Sequence, residues 1–407
     1  MTRLVARHAA RPGYIAPPGY TAPTMSFRFS VSAVDPGSRA RRGTLLTPHG
    51  PAETPAFMTV GTRATVTGLT PADLREVGAQ IVLGNTYHLM LRPGIDLFRR
   101  VGGIHRFMGW DGPVLTDSGG YQIYSLSGDR TINERGARFR SYTDQRFHLL
   151  SPERSIEIQT AIGADIMMVL DVCVDARSDE ATSRAGMERT HRWALRSLAA
   201  RADTPQALFA IVQGGVFPEL RRASASFLTE HPFDGYAIGG LAVGDTRAQR
   251  EDITHLAAGL LPPDRPRYLM GVGTPPDLLH AILGGVDMFD CILPTNLAWQ
   301  ATAFTSTGRV KLTRGAHGNE DRTLDAACRC TTCTTFSRAY LHHLFQCGEP
   351  LGARLLSLHN LTHYQSLMTA ARAAISAGTY AVWARETIDR IDRYEHSGRR
   401  PGAGVAP

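Results

Sequence analysis

Residues 207–240 have the sequence ALFAIVQGGVFPELRRASASFLTEHPFDGYAIGG. The apolar runs 207–212 and 235–240 are suited to buried strands, and the polar segment 219–230 between them has helical periodicity. The stretch therefore predicts one unit of strand, helix and strand, with the two strands parallel.

The same alternation extends outward in both directions, from residue 54 to residue 294. Apolar runs suited to buried strands lie at 55–60, 80–85, 113–116, 165–170, 207–212, 235–240, 267–271 and 286–293. Helical stretches lie at 70–79, 152–161, 179–200, 219–230, 247–261 and 276–283. Eight buried strands alternating with helices over about 240 residues predict an α/β fold, a (β/α)8 TIM barrel. A doubly wound open sheet is the alternative, although no glycine-rich phosphate loop follows the first strand.

Two segments break the alternation. Residues 131–150 alternate polar and apolar side chains around Gly136 and Asp144, which predicts a hairpin inserted after strand three. Residues 301–377 hold a cysteine cluster and then a long helical pattern, and we interpret them as a zinc-bearing appendage. The expected organisation is a disordered extension (1–25), a catalytic barrel (26–300), a C-terminal zinc-binding subdomain with closing helices (301–395) and a disordered tail (396–407).

The composition of the 407 residues is that of a folded chain with no membrane span. Hydrophobic residues make up 43% and charged residues 20%, which allows a large core, and no apolar run approaches the roughly 20 residues that cross a bilayer. The net charge is +7, but only Lys311 among the basic residues is lysine. Such an arginine preference reflects genome base composition, so charge alone argues weakly for nucleic-acid binding.

The first 25 residues contain Arg3, Arg7 and Arg11, no acidic residue and many Pro and Gly. They lack the uninterrupted apolar core of a secretion signal. We interpret them as a disordered extension, or as a leader translated from a start upstream of Met25.

Cysteines cluster near the C-terminus. Cys328, Cys330 and Cys333 lie within six positions, which favours a metal site over disulfides and predicts a reducing, cytoplasmic location. A tetrahedral structural site needs one more ligand, and the residues alone leave five candidates: Cys347, His342, His343, His359 and His363.

Polar groups follow the predicted barrel strands at their carboxyl ends, where barrel enzymes carry their reactive residues. These groups are Asn85 and Thr86, Asp117, Asp171, Gln213, Gly239 to Leu241, Met270 and Gly271, and Asp290. Three carboxylates are thus expected at one mouth. A single aspartate there is often a helix cap, but three with an amide and a double glycine favour a functional site.

Their chemistry fits exchange of a purine. Asp171 and Gln213 beside exposed backbone groups are suited to the hydrogen-bonding edge of guanine, while Tyr121 and Met270 can cover its faces. Two aspartates remain for a division of labour like that of a retaining glycosidase, in which one carboxylate attacks the anomeric carbon and the other protonates the leaving group. The leaving group here would be a base.

Several motifs carry a resemblance to one family. They are LGNTYHLMLRPG (83–94), LTDSGGYQ (115–122), LSPERS (150–155), VQG (212–214), GYAIGGLAVG (235–244), YLMGVG (268–273), DMFDC (287–291) and SRAYLHH (337–343). In this order and spacing the chain resembles the bacterial tRNA-guanine transglycosylases (queuine tRNA-ribosyltransferases) from about residue 27 to residue 394. The resemblance implies a (β/α)8 barrel with a structural zinc subdomain, one Zn²⁺ per chain, and a homodimer.

The resemblance also implies roles for individual residues. Asp290 is expected to attack C1′ of guanosine 34 in the tRNA anticodon loop and form a covalent ribosyl-enzyme, with Asp117 as general acid and then base. The base would be read by Asp171, Gln213, Gly240 and Leu241 and stacked by Tyr121 and Met270, with Asn85 holding Asp117 in the empty site. The motif Leu358-His-Asn360 selects His359 as the fourth metal ligand.

Bacterial members of this family insert 7-aminomethyl-7-deazaguanine into the anticodons of the aspartate, asparagine, histidine and tyrosine tRNAs, in queuosine biosynthesis. Eukaryotic members insert queuine. The resemblance therefore implies a deazaguanine base and a tRNA anticodon loop as partners. Cys173 and Val243 match the bacterial pattern beside the base pocket.

Three departures from the family pattern bear on specificity. Residues 171–175 read DVCVD where DECTP is common, and Asp245 replaces a glutamate that supports a peptide switch between base types. Asn296 and Trp299 stand where two arginines usually contact anticodon nucleotides. Losing two arginines weakens phosphate contacts, whereas Trp299 is able to stack on a base.

Three alternatives follow. The chain could be a non-catalytic RNA-binding subunit, although the presence of both Asp117 and Asp290 argues against this. It could salvage queuine. It could also insert a deazapurine into another nucleic acid, an alternative motivated by Asn296 and Trp299.

Overall fold

The computed structural model describes residues 26–126 and 128–397. Within these ranges the strands are β1 (Arg28–Val34), β2 (Arg41–Thr47), β3 (Gly50–Thr54), β4 (Ala56–Val60), β5 (Val82–Gly84), β6 (Val114–Thr116), β7 (Arg130–Asn133), β8 (Gly136–Arg140), β9 (Phe147–Leu150), β10 (Ile166–Met168), β11 (Ala207–Val212), β12 (Gly235–Ile238), β13 (Arg267–Leu269), β14 (Met288–Asp290), β15 (Thr302–Thr305) and β16 (Gly308–Lys311).

The helices in the same ranges are α1 (Pro71–Glu76), α2 (Thr86–Leu91), α3 (Ile95–Val101), α4 (Ile104–Met108), α5 (Gly120–Leu126), α6 (Pro152–Ile162), α7 (Glu180–Ala200), α8 (Pro218–Thr229), α9 (Arg247–Leu260), α10 (Pro275–Leu283), α11 (Leu293–Trp299), α12 (Thr331–Thr335), α13 (Arg338–Gln346), α14 (Pro350–Ser376) and α15 (Tyr380–Ser397). A 3-10 helix covers Gly315–Asn319.

Eight strands close into a parallel barrel in the order β10, β11, β12, β13, β14, β4, β5, β6. β14 pairs with β4, and β10 pairs with β6, so that no edge is left open. Each barrel strand lies inside one of the eight predicted apolar runs, because a strand covered on both faces needs apolar side chains throughout. All six residues of β11 are buried. The barrel prediction is confirmed, and the open-sheet alternative is wrong.

Each predicted helical stretch contains a helix, and capping side chains mark where the helices begin. Thr70 and Asp73 form a reciprocal capping box at α1, and Thr246 and Gln249 form another at α9. Ser151, Asp179 and Thr274 cap α6, α7 and α10 through their side-chain oxygens. The helices therefore begin near the residues that the sequence indicates.

An antiparallel sheet of β1, β2 and β3 precedes the barrel and is not among the predicted elements. The turn between β2 and β3 reaches Asp165, the residue that precedes β10 at the amino end of the barrel. His49 Nδ1 lies 2.7 Å from Asp165 Oδ1, and His105 Nε2 lies 3.1 Å from Oδ2. The two imidazole rings stack with centroids 3.4 Å apart. This sheet therefore covers the end of the barrel opposite the strand carboxyl ends.

The insertion after the third barrel strand contains one strand more than the predicted hairpin. β7, β8 and β9 form an antiparallel sheet, with Asn133 paired to Gly136 and Phe139 paired to His148. Gly136 and Asp144 mark two separate turns, and each turn reverses the chain. Phe139 is buried against Tyr87, with ring centroids 5.0 Å apart, so one face of the sheet packs on the barrel.

The C-terminal region consists of the β15–β16 hairpin, the short helices α12 and α13, and the long helices α14 and α15. α14 packs on α11 and on β4. Two buried side chains tie it to the barrel: Tyr364 donates to the carbonyl of Gly273 at 2.6 Å, and Gln365 donates to that of Phe57 at 3.0 Å. The appendage is therefore anchored on the barrel wall.

The predicted disordered segments fall almost wholly outside the described residues: residues 1–25 and 398–407 are not part of the description, and α15 continues to Ser397. Among the helices of the described ranges, none combines the length and apolarity that a bilayer span requires.

Candidate active site

A cavity of about 390 Å³ opens at the carboxyl ends of the barrel strands. Eight of the nine residues predicted for catalysis and base recognition line it, so the predicted grouping of the three aspartates is present. They are Asn85, Asp117, Tyr121, Asp171, Gly240, Leu241, Met270 and Asp290. The ninth, Gln213, lies behind the wall, where its amide contacts Asp171.

Asp290 is the last residue of β14 and is held by two donors on the same oxygen. The Tyr268 hydroxyl donates to Oδ1 at 2.6 Å, and the backbone NH of Gly271 donates to it at 2.8 Å. Oδ2 has no hydrogen-bond partner among the described residues, and it belongs to a side chain that lines the cavity. Burial raises the pKa of Asp290, while the two donors favour its charged form. The geometry thus presents one carboxylate oxygen for attack.

Asp117 follows β6 and binds two donors from the start of α2. The Thr86 backbone NH donates to Oδ1 at 2.8 Å, and Asn85 Nδ2 donates to Oδ2 at 2.5 Å. The other end of the Asn85 amide caps α2, accepting from the NH of His88, so the amide orientation is fixed. The predicted contact between Asn85 and Asp117 is therefore present.

The electrostatics of Asp117 differ from those of an exposed carboxyl. Its burial, together with the negative charges of Asp290 and Asp171, raises its pKa to about 7. A carboxyl with this pKa holds a proton near neutral pH and is able to release it, which is what a group acting as acid and then as base needs.

Asp171 sits between two donors on the floor of the cavity. Ser118 Oγ donates to Oδ1 at 3.1 Å, and Gln213 Nε2 donates to Oδ2 at 2.7 Å. Burial raises its pKa. Ser118 and Tyr268 were not predicted as site residues, although each lies inside a motif quoted above. Their sequence positions could have indicated them, because Ser118 directly follows Asp117 and Tyr268 precedes Met270 by two residues.

Gly240 shows why a glycine is required beside Gln213. It has φ +69°, and a Cβ there would lie 2.4 Å from Gln213 Oε1. A side chain at this position would displace the amide that holds Asp171. Leu241, the next residue, is buried in the cavity wall.

The loop after Leu241 is fixed by the buried side chain of Asp245. Asp245 Oδ1 accepts from the NH of Val243 at 2.9 Å, and Oδ2 pairs with Arg250 at 2.9 Å. Val243 and Cys173 both line the cavity. Asp245, which stands where the family pattern has the longer glutamate, therefore holds the backbone of a residue in the cavity wall.

One face of α11 continues from the cavity rim. Ile292 lines the cavity and is 54% exposed, and Trp299, seven residues later, is 45% exposed. Asn296 between them is also exposed, and the i, i+4, i+7 spacing puts all three on one face. Asn296 and Trp299 leave this face uncharged at the two positions where the family pattern has arginine.

A cluster of candidate metal ligands lies apart from the cavity. Cys328, Cys330, Cys333 and His359 place their ligand atoms within 4.8 Å of one another. His359 Nδ1 faces the sulfurs of Cys333 and Cys330 at 3.3 and 3.6 Å. Its Nε2 bonds the carbonyl oxygen of Phe304 at 2.7 Å, which fixes the tautomer with Nδ1 free for metal. This group could hold a metal ion.

The other four candidate ligands do not join this group. Cys347 lies on the surface beside His343, 3.6 Å away, and His342 bonds the carbonyl of Leu312 at 2.6 Å. His363 is one turn of α14 beyond His359 and is absent from the cluster. The ligand set implied by the family motif is therefore the one that the structure brings together.

Comparison with known proteins gives one family. The family model described as Queuine tRNA-ribosyltransferase matches residues 35–393. Proteins named queuine tRNA-ribosyltransferase include one from Solidesulfovibrio magneticus, 52% identical over 85% of this chain and 94% of that protein. Another, from Symbiobacterium thermophilum, is 46% identical over 94% of this chain and 97% of that protein. One from Pseudomonas aeruginosa is 48% identical over 87% of this chain and 95% of that protein.

Proposed function

The chain belongs to the queuine tRNA-ribosyltransferase family, and from this premise we propose that it exchanges guanine 34 for 7-aminomethyl-7-deazaguanine in tRNA anticodons. The acceptors are the aspartate, asparagine, histidine and tyrosine tRNAs. This makes it a pentosyltransferase, a tRNA-guanine transglycosylase of queuosine biosynthesis. The observation that carries the proposal is the presence of Asp117, Asp171 and Asp290 in one cavity.

The mechanism is a double displacement. Asp290 Oδ2 attacks C1′ of nucleotide 34; the C1′–N9 bond breaks, and its electron pair leaves with guanine, which takes the proton of Asp117. The ribose is then esterified to Asp290. The incoming base gives a proton to Asp117, its N9 attacks C1′, and the ester bond to Asp290 breaks. The second displacement returns both side chains to their starting states, with Asp117 protonated and Asp290 a free carboxylate.

The remaining residues hold the base. Asp171 and the backbone at Gly240 and Leu241 face its hydrogen-bonding edge, and Gln213 supports Asp171 through their 2.7 Å hydrogen bond. Tyr121, which is 49% exposed, and Met270 cover its two faces. Binding by Asp171 discriminates in favour of a purine with donors on that edge.

The metal at Cys328, Cys330, Cys333 and His359 is proposed to be one structural Zn²⁺ per chain. Three thiolates and one imidazole form a closed tetrahedral donor set typical of structural zinc, and the ion there stabilises the appendage. Family membership also supports a homodimer in the cytoplasm as the working form.

The test of this function is incorporation of labelled guanine into total tRNA, followed by identification of the tRNAs that carry label. We expect label in the aspartate, asparagine, histidine and tyrosine tRNAs only. Label confined to other RNAs, or none, would contradict the proposal.

A second candidate function is insertion of a deazapurine into another nucleic acid. The observation that favours it is the face of α11, which carries Asn296 and Trp299 in place of the two arginines of the family pattern. Gel-shift competition between an anticodon stem-loop and duplex DNA separates the two. The first function requires the stem-loop to compete better.

The pH dependence of the reaction follows from Asp117. Because the pKa of this carboxyl is raised to about 7, Asp117 is mostly protonated below pH 7, and the protonated fraction falls as the pH rises through that value. We expect kcat/KM for guanine exchange to fall about tenfold per pH unit on the alkaline side. The measurement is a pH profile with circular dichroism at each pH as a control for unfolding. If kcat/KM stayed constant up to pH 9, Asp117 would not be the general acid.

The incoming base should follow the bacterial pattern. Cys173 and Val243 line the cavity, so the compact aminomethyl base should be accepted, while Val172 and Asp245 should relax discrimination against queuine. The measurement is kcat/KM for guanine, the aminomethyl base and queuine on one tRNA. Asp245→Glu is the comparison variant and should sharpen the discrimination. A preference for queuine above about tenfold, worth roughly 1.4 kcal/mol, would favour the queuine-salvaging alternative.

A further inference from the structure

The inserted sheet presents a basic and aromatic face to solvent. Arg138 and Arg140 of β8 point outward, as do Phe147 and Leu149 of β9, because alternate residues of a strand share a face. The strand register pairs Arg140 with Phe147 and Arg138 with Leu149. β7, β8 and β9 together contain three arginines and no acidic residue.

The two guanidinium groups converge on one ring. Arg138 lies 3.6 Å and Arg140 lies 4.6 Å from the centroid of Phe147, which is itself 42% exposed. Arg140 also pairs with Asp129 at 3.0 Å, whereas Arg138 makes no ion pair with any carboxylate of the described ranges. Contacts of this kind hold an arginine flat on the surface with its charge available.

This face adjoins the cavity rim. Tyr142, in the turn between β8 and β9, bonds through its hydroxyl to His88 Nδ1 at 2.8 Å, and His88 lines the cavity. On the other side, Arg130 of β7 lies 5.2 Å over Tyr124, whose ring is 6.3 Å from that of the cavity residue Tyr121. The inserted sheet therefore lies next to the cavity rim through its β8–β9 turn and through β7.

We propose that the outer face of β8 and β9, formed by Arg138, Arg140, Phe147 and Leu149, is a docking surface for the tRNA that reacts in the cavity. The inference rests on the proposed function, since it takes tRNA as the substrate. Arg138 and Arg140 contact the phosphate backbone, and Phe147 supports them and contacts an unpaired base or ribose. Charge complementarity favours RNA over a second protein, because the three strands carry three arginines and no acidic residue, and the adjoining Asp129 pairs with Arg140 alone among the two arginines of β8.

The experiment measures binding of fluorescein-labelled, guanosine-34 tRNA to the full-length protein by anisotropy over a series of KCl concentrations. Arg138→Ala should weaken binding and reduce the magnitude of the salt slope by about 0.7 to 0.9 for each phosphate that the variant no longer neutralises. Phe147→Ala should weaken binding by about fivefold or more with an unchanged slope. Guanine exchange at saturating tRNA should keep its kcat in both variants, with KM raised.

The matched control is Arg222→Ala, which removes an exposed arginine from α8 on the outer ring of the barrel. Arg138→Glu serves as a second variant that leaves the ring of Phe147 in place. If both Arg138 variants match Arg222→Ala in affinity and salt slope, the docking surface is wrong. A change from dimer to monomer in Phe147→Ala, seen by sedimentation, would instead assign the face to a contact between copies and overturn the proposal. Exchange by the unmodified protein reports separately on the proposed function.

Discussion

Asp290→Asn is expected to lose guanine exchange by about 10³-fold or more, because the amide that replaces the carboxylate cannot act as the nucleophile. The substitution keeps the size of the side chain, and its oxygen can still accept from Tyr268 and Gly271, so the fold should be unchanged. The covalent link to RNA should disappear at the same time. The measurements are single-turnover exchange and a denaturing gel for the protein–RNA adduct.

Asp111→Asn is the matched control for this variant. It makes the same chemical change at an exposed aspartate that pairs with Arg75 and precedes β6 at the amino end of the barrel. It should retain exchange and adduct. Full exchange by Asp290→Asn, or an adduct that survives the substitution, would end the mechanism proposed here.

Cys330→Ala is expected to release the metal and destabilise the C-terminal appendage. Structural zinc in small peptides contributes an apparent binding free energy of about 10–16 kcal/mol, and that binding is coupled to folding. The effect should reach the barrel, because His359 lies on α14, and the adjacent Asn360 bonds the carbonyl of Pro294 at 2.8 Å at the start of α11. Affinity for tRNA should therefore fall together with the melting temperature.

The measurements are elemental analysis, thermal melting and tRNA binding of the purified protein, which should contain one zinc per chain. Cys347→Ala is the matched control, since this thiol is exposed and lies outside the ligand group. It should keep the metal, the melting temperature and the affinity. Metal-free protein with normal melting and normal tRNA binding would contradict the assignment.

The barrel could be predicted from sequence because its strands are buried on both faces and so appear as uninterrupted apolar runs, as in β11. The sheet of β1 to β3 escaped prediction for the opposite reason. Most of β1 is exposed, and its polar side chains give no such run. An element that packs on one side only leaves a weaker signal in the sequence.

The site shows a similar division. Strand ends located Asp117, Asp171 and Asp290, because chain order fixes which residue follows each strand. The position of Gln213 behind Asp171 depends on side-chain rotamers and on the bare backbone of Gly240, which sequence spacing does not encode. Selecting His359 as the fourth candidate ligand depended on family resemblance, because it is the return path of α14 that brings His359 to three cysteines at least 26 residues away.

In the turn between β2 and β3, His49 stacks on His105 of α4, and both imidazoles contact Asp165 at the amino end of the barrel. That end of the barrel is covered and the barrel interior is filled by side chains, so in the proposed reaction both bases use the mouth at the strand carboxyl ends. The proposed mechanism then requires guanine to depart past the bound RNA and its replacement to arrive by the same route while the ribose stays attached to Asp290. With one route for both bases, the departure of guanine has to precede the entry of its replacement.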